Sequence, residues 1–112
     1  MAIVYLIGEV DNDNIFKIGV TKHNDVERRK SELQTGSSQE LYIKDYYITE
    51  TPYKLEKMLH KHFRNNNIIN EWFEINNDDI KNFKSICEKY QNIINSLKDN
   101  PFYNNKKEQL IF

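Results

Sequence analysis

Ala2, Ile3, Val4, Tyr5, Leu6 and Ile7 form an unbroken apolar run, and residues 15–21 repeat its β-branched and aromatic character after the turn-rich stretch Glu9 to Asn14. Two such runs flanking a cluster of Asp and Asn predict a β-hairpin. Asn24 or Asp25 can cap a helix that begins at Val26, with Val26, Arg29 and Leu33 on one stripe and Gly36 as its stop. Residues 41–48, rich in Tyr and Ile but interrupted by Lys44 and Asp45, read as a third strand. Thr51 and Pro52 open a second helix, in which Leu55, Met58, Leu59, His62 and Phe63 recur on one face until Asn65, Asn66 and Asn67 end it. A brief strand over residues 72–75 follows. Asn76 or Asn77 then caps a long final helix whose inward face carries Ile80, Phe83, Ile86, Cys87, Tyr90, Ile93, Ile94 and Leu97.

These elements predict an α+β fold, a small mixed and mainly antiparallel sheet of three to four strands flanked by helices. The domain spans residues 1–97, and periodicity fails over a C-terminal tail of residues 98–112. Phe102, Tyr103, Leu110, Ile111 and Phe112 in that tail offer apolar groups for docking on the body or on a second copy. At 112 residues there is room for one ordinary domain, and 38% hydrophobic residues exclude disorder of the whole chain. The longest apolar run is far short of the roughly 20 residues that a membrane helix needs. The N-terminal run reads as a strand rather than a secretory signal, and a lone Cys87 suits a reducing compartment, so the expected location is cytoplasmic.

A net charge of −1 gives no bulk signal for a polyanionic partner. The local distribution differs. Lys17, Lys22, Arg28, Arg29 and Lys30 oppose only Asp25 and Glu27, while Lys54, Lys57, Lys61 and Arg64 oppose only Glu56. If the two segments meet they form one basic face; if not, this is scattered solvated charge.

Most enzyme signatures are missing: the chain has no GxGxxG, P-loop, HExxH, CxxC pair or GxSxG elbow. His60 and His62 lie about 200° apart on a helix, which argues against a histidine metal site. Four groups remain as candidates for chemistry: Tyr5, Lys17, Arg29 and Glu56. Each has an ordinary explanation as a strand aromatic, a strand lysine, a surface arginine and the partner of His60 at i+4. Position argues otherwise for two of them. Arg29 shares the stripe of Val26 and Leu33 that faces the sheet, and Glu56 lies about 20° around its helix from Phe63.

Ile3-Val4-Tyr5, then Lys17-Ile18-Gly19, then Arg29 on the following helix resembles the opening of the GIY-YIG nuclease domain. Phe16 to Thr21 with Glu27-Arg28-Arg29 and Leu33 to Gly36 is similar to the branch common in viruses and mobile elements, where KIG replaces YIG. Leu55 to Phe63, followed by Glu71-Trp72-Phe73, matches that branch's second block, so the resemblance covers residues 2–75.

The resemblance implies a metal-dependent endonuclease that hydrolyses phosphodiester bonds in DNA. It implies Tyr5 near the nucleophile, Arg29 on the scissile phosphate, and Glu56 holding one Mg²⁺ or Mn²⁺. One carboxylate with waters and phosphate oxygens is a reasonable cage for Mg²⁺. Lys17 replaces the family's second tyrosine, either to help generate the nucleophile or to bind phosphate. Leu33 stands where many members have a histidine, for which His23 or His60 could substitute. Asn70, Asn76 and Asn77 are the positional counterparts of an asparagine found in some members, and Arg28 is the alternative to Arg29. Lys22, Arg28, Lys57, His60 and Lys61 are the expected nucleic-acid contacts. The runner-up is a catalytically inactive module of the same fold that binds nucleic acid or a protein; the third reading is a homo-oligomer that assembles through the C-terminal half.

Overall fold

A computed structural model of the chain describes residues 2–22 and 26–98. The elements run β1 (Ala2–Glu9), β2 (Asn12–Thr21), α1 (Val26–Thr35), β3 (Leu41–Thr49), α2 (Pro52–His62), a 3-10 turn (Arg64–Asn66), β4 (Asn67–Ile69), β5 (Trp72–Glu74), α3 (Asn77–Lys81) and α4 (Phe83–Lys98). The strands form one five-stranded sheet in the order β3-β1-β2-β5-β4, every pair antiparallel. This is the expected α+β class, with one strand more than the sequence suggested.

The continuous apolar run of β1 has a topological cause, because the strand is covered on both faces. Alternate residues of a strand point to opposite sides. Val4 and Leu6 join Phe16, Ile18, Leu55, Leu59, Phe63, Phe73, Phe83, Cys87 and Ile94 in the main core, against α2 and α4. Ile3, Tyr5 and Ile7 join Leu41 on the other face, where Val26 and Leu33 of α1 pack. Burial of each large side chain in the main core contributes about 1.5–3 kcal/mol. Cys87 is fully buried there, and burial pushes its thiol up to about 12. A disulfide reagent at neutral pH is therefore expected to modify Cys87 only as fast as the protein unfolds; rapid labelling of the native protein would contradict this packing.

Local chemistry sets the boundaries. Lys44 is the extra residue of a bulge on β3: Leu6 pairs with Asp45 and Ile7 with Ile43, which accounts for the polar interruption in that strand. The hairpin turn is tighter than the sequence implies, since β2 already begins at Asn12, whose side chain donates to Glu9 Oε1 at 2.7 Å. Pro52 opens α2 as expected, but Thr51 makes no side-chain cap. The long final helix is two helices. Asn82 turns its backbone to φ −98°, ψ 14°, and its side-chain amide donates to Asp78 O at 2.9 Å, competing with helical continuation. Asn76 is the observed cap of α3, its side chain accepting from the Asp79 N–H at 2.8 Å. The expected cap of α1 at Asn24 or Asp25, and the tail of residues 99–112, lie outside the described residues.

Helix α1 is mostly polar and has no fully buried residue, so apolar burial alone holds it weakly. Gln34 adds a polar clasp: its Nε2 donates to Gln39 O and its Oε1 accepts from the Leu41 N–H, both at 2.8 Å. That clasp ties the end of α1 to the start of β3 and sets the helix across the face that carries Tyr5. Among the described residues, no helix is long and apolar enough to cross a membrane.

Candidate functional site

Tyr5 lies in the middle of β1, directly opposite Gly19 of β2. Its ring covers that glycine, so a Cβ at position 19 would come 2.3 Å from the Tyr5 hydroxyl oxygen and 2.5 Å from Cζ. Glycine is therefore required here by close approach, not by an unusual φ. Gly19→Ala is expected to cost about 1–3 kcal/mol by overpacking, because Tyr5 is only 1% exposed and has nowhere to swing. Thermal denaturation of this variant checks the estimate; an unchanged Tm would mean that the ring does not rest on Gly19.

The Tyr5 hydroxyl points to α1, where the Arg29 guanidinium is its hydrogen-bond partner. Burial pushes the Tyr5 pKa up, and Arg29 offsets only part of that rise, so the side chain is a neutral phenol at neutral pH. The same hydrogen bond raises the pKa of Arg29 further. Arg29 also reaches Glu32 at 3.5 Å on its own helix, a half-exposed pair of small energetic value. Its Nε is covered and has no hydrogen-bond partner among the described residues. A covered donor left unpaired costs about 1–3 kcal/mol. The guanidinium thus carries unused donor capacity next to Tyr5.

Lys17 sits two residues before Gly19 on β2 and points to the same side of the sheet as Tyr5. Its register partner on β5 is Trp72, and its Nζ stands 5.8 Å from the centroid of that ring. Glu71, one residue before, closes over it with an N···O distance of 3.4 Å. Both contacts stabilise positive charge on Nζ. Glu56 approaches from α2, half-buried. Burial raises the pKa of its carboxyl, the negative charge of Glu71 adds to the rise, and His60 and Lys17 oppose it. Tyr5 in turn feels both Glu71 and Glu56. One electrostatically coupled cluster therefore contains all four candidates, with Glu71 among them.

A divalent cation suits this donor set in one respect: Glu56 is a carboxylate whose charge is disfavoured by burial and by Glu71, and a positive ion would relieve both. No group of three or more His, Cys, Asp or Glu poised for a metal occurs among the described residues, so protein ligation would rest on Glu56 with solvent and phosphate oxygens.

A family model for the T5orf172 domain matches residues 2–88. The chain belongs to the T5orf172 domain family. No curated protein and no solved structure matches it. The match takes in β1 to the first turns of α4, and so every residue of the cluster around Tyr5.

The other candidates of this T5orf172 domain fall into two groups. Lys22, Arg28, Lys57 and Lys61 are exposed, the last two on α2 near Glu56. His60 is turned inward: its Nε2 donates to the Ile18 carbonyl at 3.0 Å and its ring packs 5.1 Å from that of Phe73. His62 goes elsewhere, with Nδ1 and the Tyr90 hydroxyl 2.6 Å apart, so the two histidines share no site. His23 lies outside the described residues. Among the asparagines, Asn76 caps α3 and Asn77 accepts from Asn14 at 2.9 Å, whereas Asn70 forms the β4–β5 turn beside Glu71 at φ 50°.

Glu71 is the residue of the cluster to which sequence reasoning gave no role. Its place depends on β5 pairing with β2, a long-range contact with no local signal. A cleft of about 350 Å³ opens beside Lys17 and Trp72, with Leu33, Ser37 and Ser38 on its walls. A slightly larger one of about 390 Å³, between Asn14, Tyr42 and Lys81, contains none of the candidates.

Proposed function

We propose that this T5orf172 domain is a GIY-YIG-type endonuclease that hydrolyses phosphodiester bonds in DNA with the help of Mg²⁺ or Mn²⁺. The T5orf172 domain occurs in nucleases of phages and mobile elements, which supports a role on nucleic acid. The observation that carries the reading is the convergence of Tyr5, Lys17, Arg29 and Glu56, drawn from two strands and two helices, into one coupled cluster.

Phosphodiester hydrolysis requires positive groups where charge builds on phosphorus oxygens, and a dry, rigid setting that keeps them aimed. Arg29 is the phosphate-facing donor, with the buried Tyr5 hydroxyl orienting its guanidinium and Gly19 admitting the Tyr5 ring. Lys17 adds a second positive charge. Glu56 is the cation-holding carboxylate, and the chemistry a bound cation supplies there is neutralisation of charge on the phosphate and leaving oxygens. Lys22, Arg28, Lys57 and Lys61 supply exposed positive charge for the phosphate backbone, the kind of contact that positions a duplex without reading its sequence. The test is release of product from a labelled DNA with Mg²⁺ or Mn²⁺ and its loss in EDTA.

One observation favours a second reading, a binding module without turnover. Lys17 stands where the resembled family has a tyrosine, and it is held in an ion pair with Glu71. Salt-sensitive retention of DNA with no cleavage under any cation would select that reading.

A further inference from the structure

Lys17, a basic residue of the cluster, lines a cleft. Its side chain is 17% exposed, while the Glu71 carboxylate that covers it is 39% exposed, so Glu71 is the outer member of the pair. The Trp72 ring centroid stands 5.8 Å from the ammonium, and Lys17 and Trp72 line the 350 Å³ cleft together with Ser37 and Ser38. Glu9 also lines the cleft, but its carboxylate already accepts from Asn12 at 2.7 Å.

Glu71 is held from the backbone side. Asn70 takes the left-handed conformation at φ 50°, and Asn67 Nδ2 donates to Asn70 O at 2.9 Å and to Trp72 O at 3.1 Å. The Glu71 carbonyl accepts from the Ile18 N–H at 3.1 Å. The turn thus fixes the main chain and leaves the carboxylate free to rotate about its own side-chain torsions.

The Glu71 carboxylate, more exposed than the lysine it pairs with, occupies on the ammonium the place a phosphate oxygen would take. We propose that Lys17 is an anion subsite which Glu71 occupies in the free protein, and that a phosphate of the nucleic acid enters by displacing Glu71. This rests on the nucleic-acid reading above and adds to it a competitor built into the chain. A half-exposed ion pair is weak enough to be exchanged on each encounter, and the negative charge selects against anions too weakly charged to replace it.

The test is DNA affinity by fluorescence anisotropy in EDTA, where no turnover intervenes, for wild type, Glu71→Gln, Glu71→Ala, Lys17→Met and the Lys17→Met/Glu71→Gln double variant. Either Glu71 variant is expected to bind about two- to fivefold more tightly than wild type, the range of an exposed pair. Lys17→Met is expected to bind more weakly, and Glu71→Gln to bring no gain in its background. The lone tryptophan beside the ammonium gives a second readout, as its emission should change on DNA addition only where Lys17 is present. Wild type that binds DNA while both Glu71 variants bind equally or less well would overturn the proposal and leave the nucleic-acid reading standing. A gain from Glu71→Gln that persists without Lys17 would reduce it to bulk charge and also overturn it. Absence of DNA binding in all five proteins would overturn the nucleic-acid reading and this subsite with it.

Discussion

Glu56→Gln is expected to lose cation-dependent cleavage by at least about 10³-fold, beyond the 10²–10³ that a single donor to a charged transition state supplies, while unfolding no more easily than wild type. The two halves have one physical cause. Burial and the charge of Glu71 both raise the pKa of this carboxyl, so the folded protein favours its protonated form. Above the carboxylate range the ionised group therefore works against folding, and that penalty grows as pH rises through the unfolded and then the folded pKa. An amide of the same shape removes the penalty. Such a trade of stability for chemistry is common at functional sites. Single-turnover cleavage and urea denaturation of the same preparation check both halves; a variant that is inactive only because it is unfolded would contradict the assignment.

Arg29→Ala is expected to lower kcat by about 10²–10³ while changing DNA affinity much less, because a contact that strengthens as charge develops on the phosphate acts chiefly in the transition state. Arg29→Lys should not restore the rate, since an ammonium cannot hold the Tyr5 hydroxyl and a phosphate in the planar fork geometry that a guanidinium provides. The neighbouring Arg28 is exposed and lies about 100° around the helix from Arg29, so the two do not share one direction. Rapid-quench rates set beside anisotropy titrations separate the two effects. Equal losses in rate and affinity would make Arg29 a ground-state anchor.

The sequence carried the parts of the fold that have a period. The strands at Tyr5, Lys17 and Tyr46 are found where β-branched and aromatic runs put them, and the α2 stripe of Leu55, Leu59 and Phe63 where helical recurrence does. Strand β4 was not legible because Asn67, Ile68 and Ile69 are three residues with no alternation to read, and their pairing with β5 is a tertiary fact. The break between α3 and α4 was hidden for a different reason: the apolar stripe runs straight through it, and only the side chain of Asn82 reveals the competition.

In the site, Arg29 was readable as a charge on a sheet-facing stripe, and Glu56 as a charge beside an apolar face. The contact of Tyr5 with Gly19 needed the register of β1 against β2. Glu71 needed the whole sheet, because the two strands that bring it to Lys17 are separated by three intervening elements, α1, β3 and α2, and two short ones. His60 makes contacts that its place on a basic helix did not announce: its Nε2 donates to the Ile18 carbonyl and its ring packs on Phe73.

The central claim is that Glu56 and a divalent cation together cut DNA. Its most direct test is incubation of the protein with supercoiled plasmid, linear duplex and single strands in Mg²⁺, Mn²⁺ or EDTA, with Glu56→Ala in parallel. The account predicts strand scission that requires both the cation and Glu56, in whichever form of DNA is accepted. Scission that persists in EDTA, scission by Glu56→Ala at saturating cation, or intact DNA in every lane would contradict it.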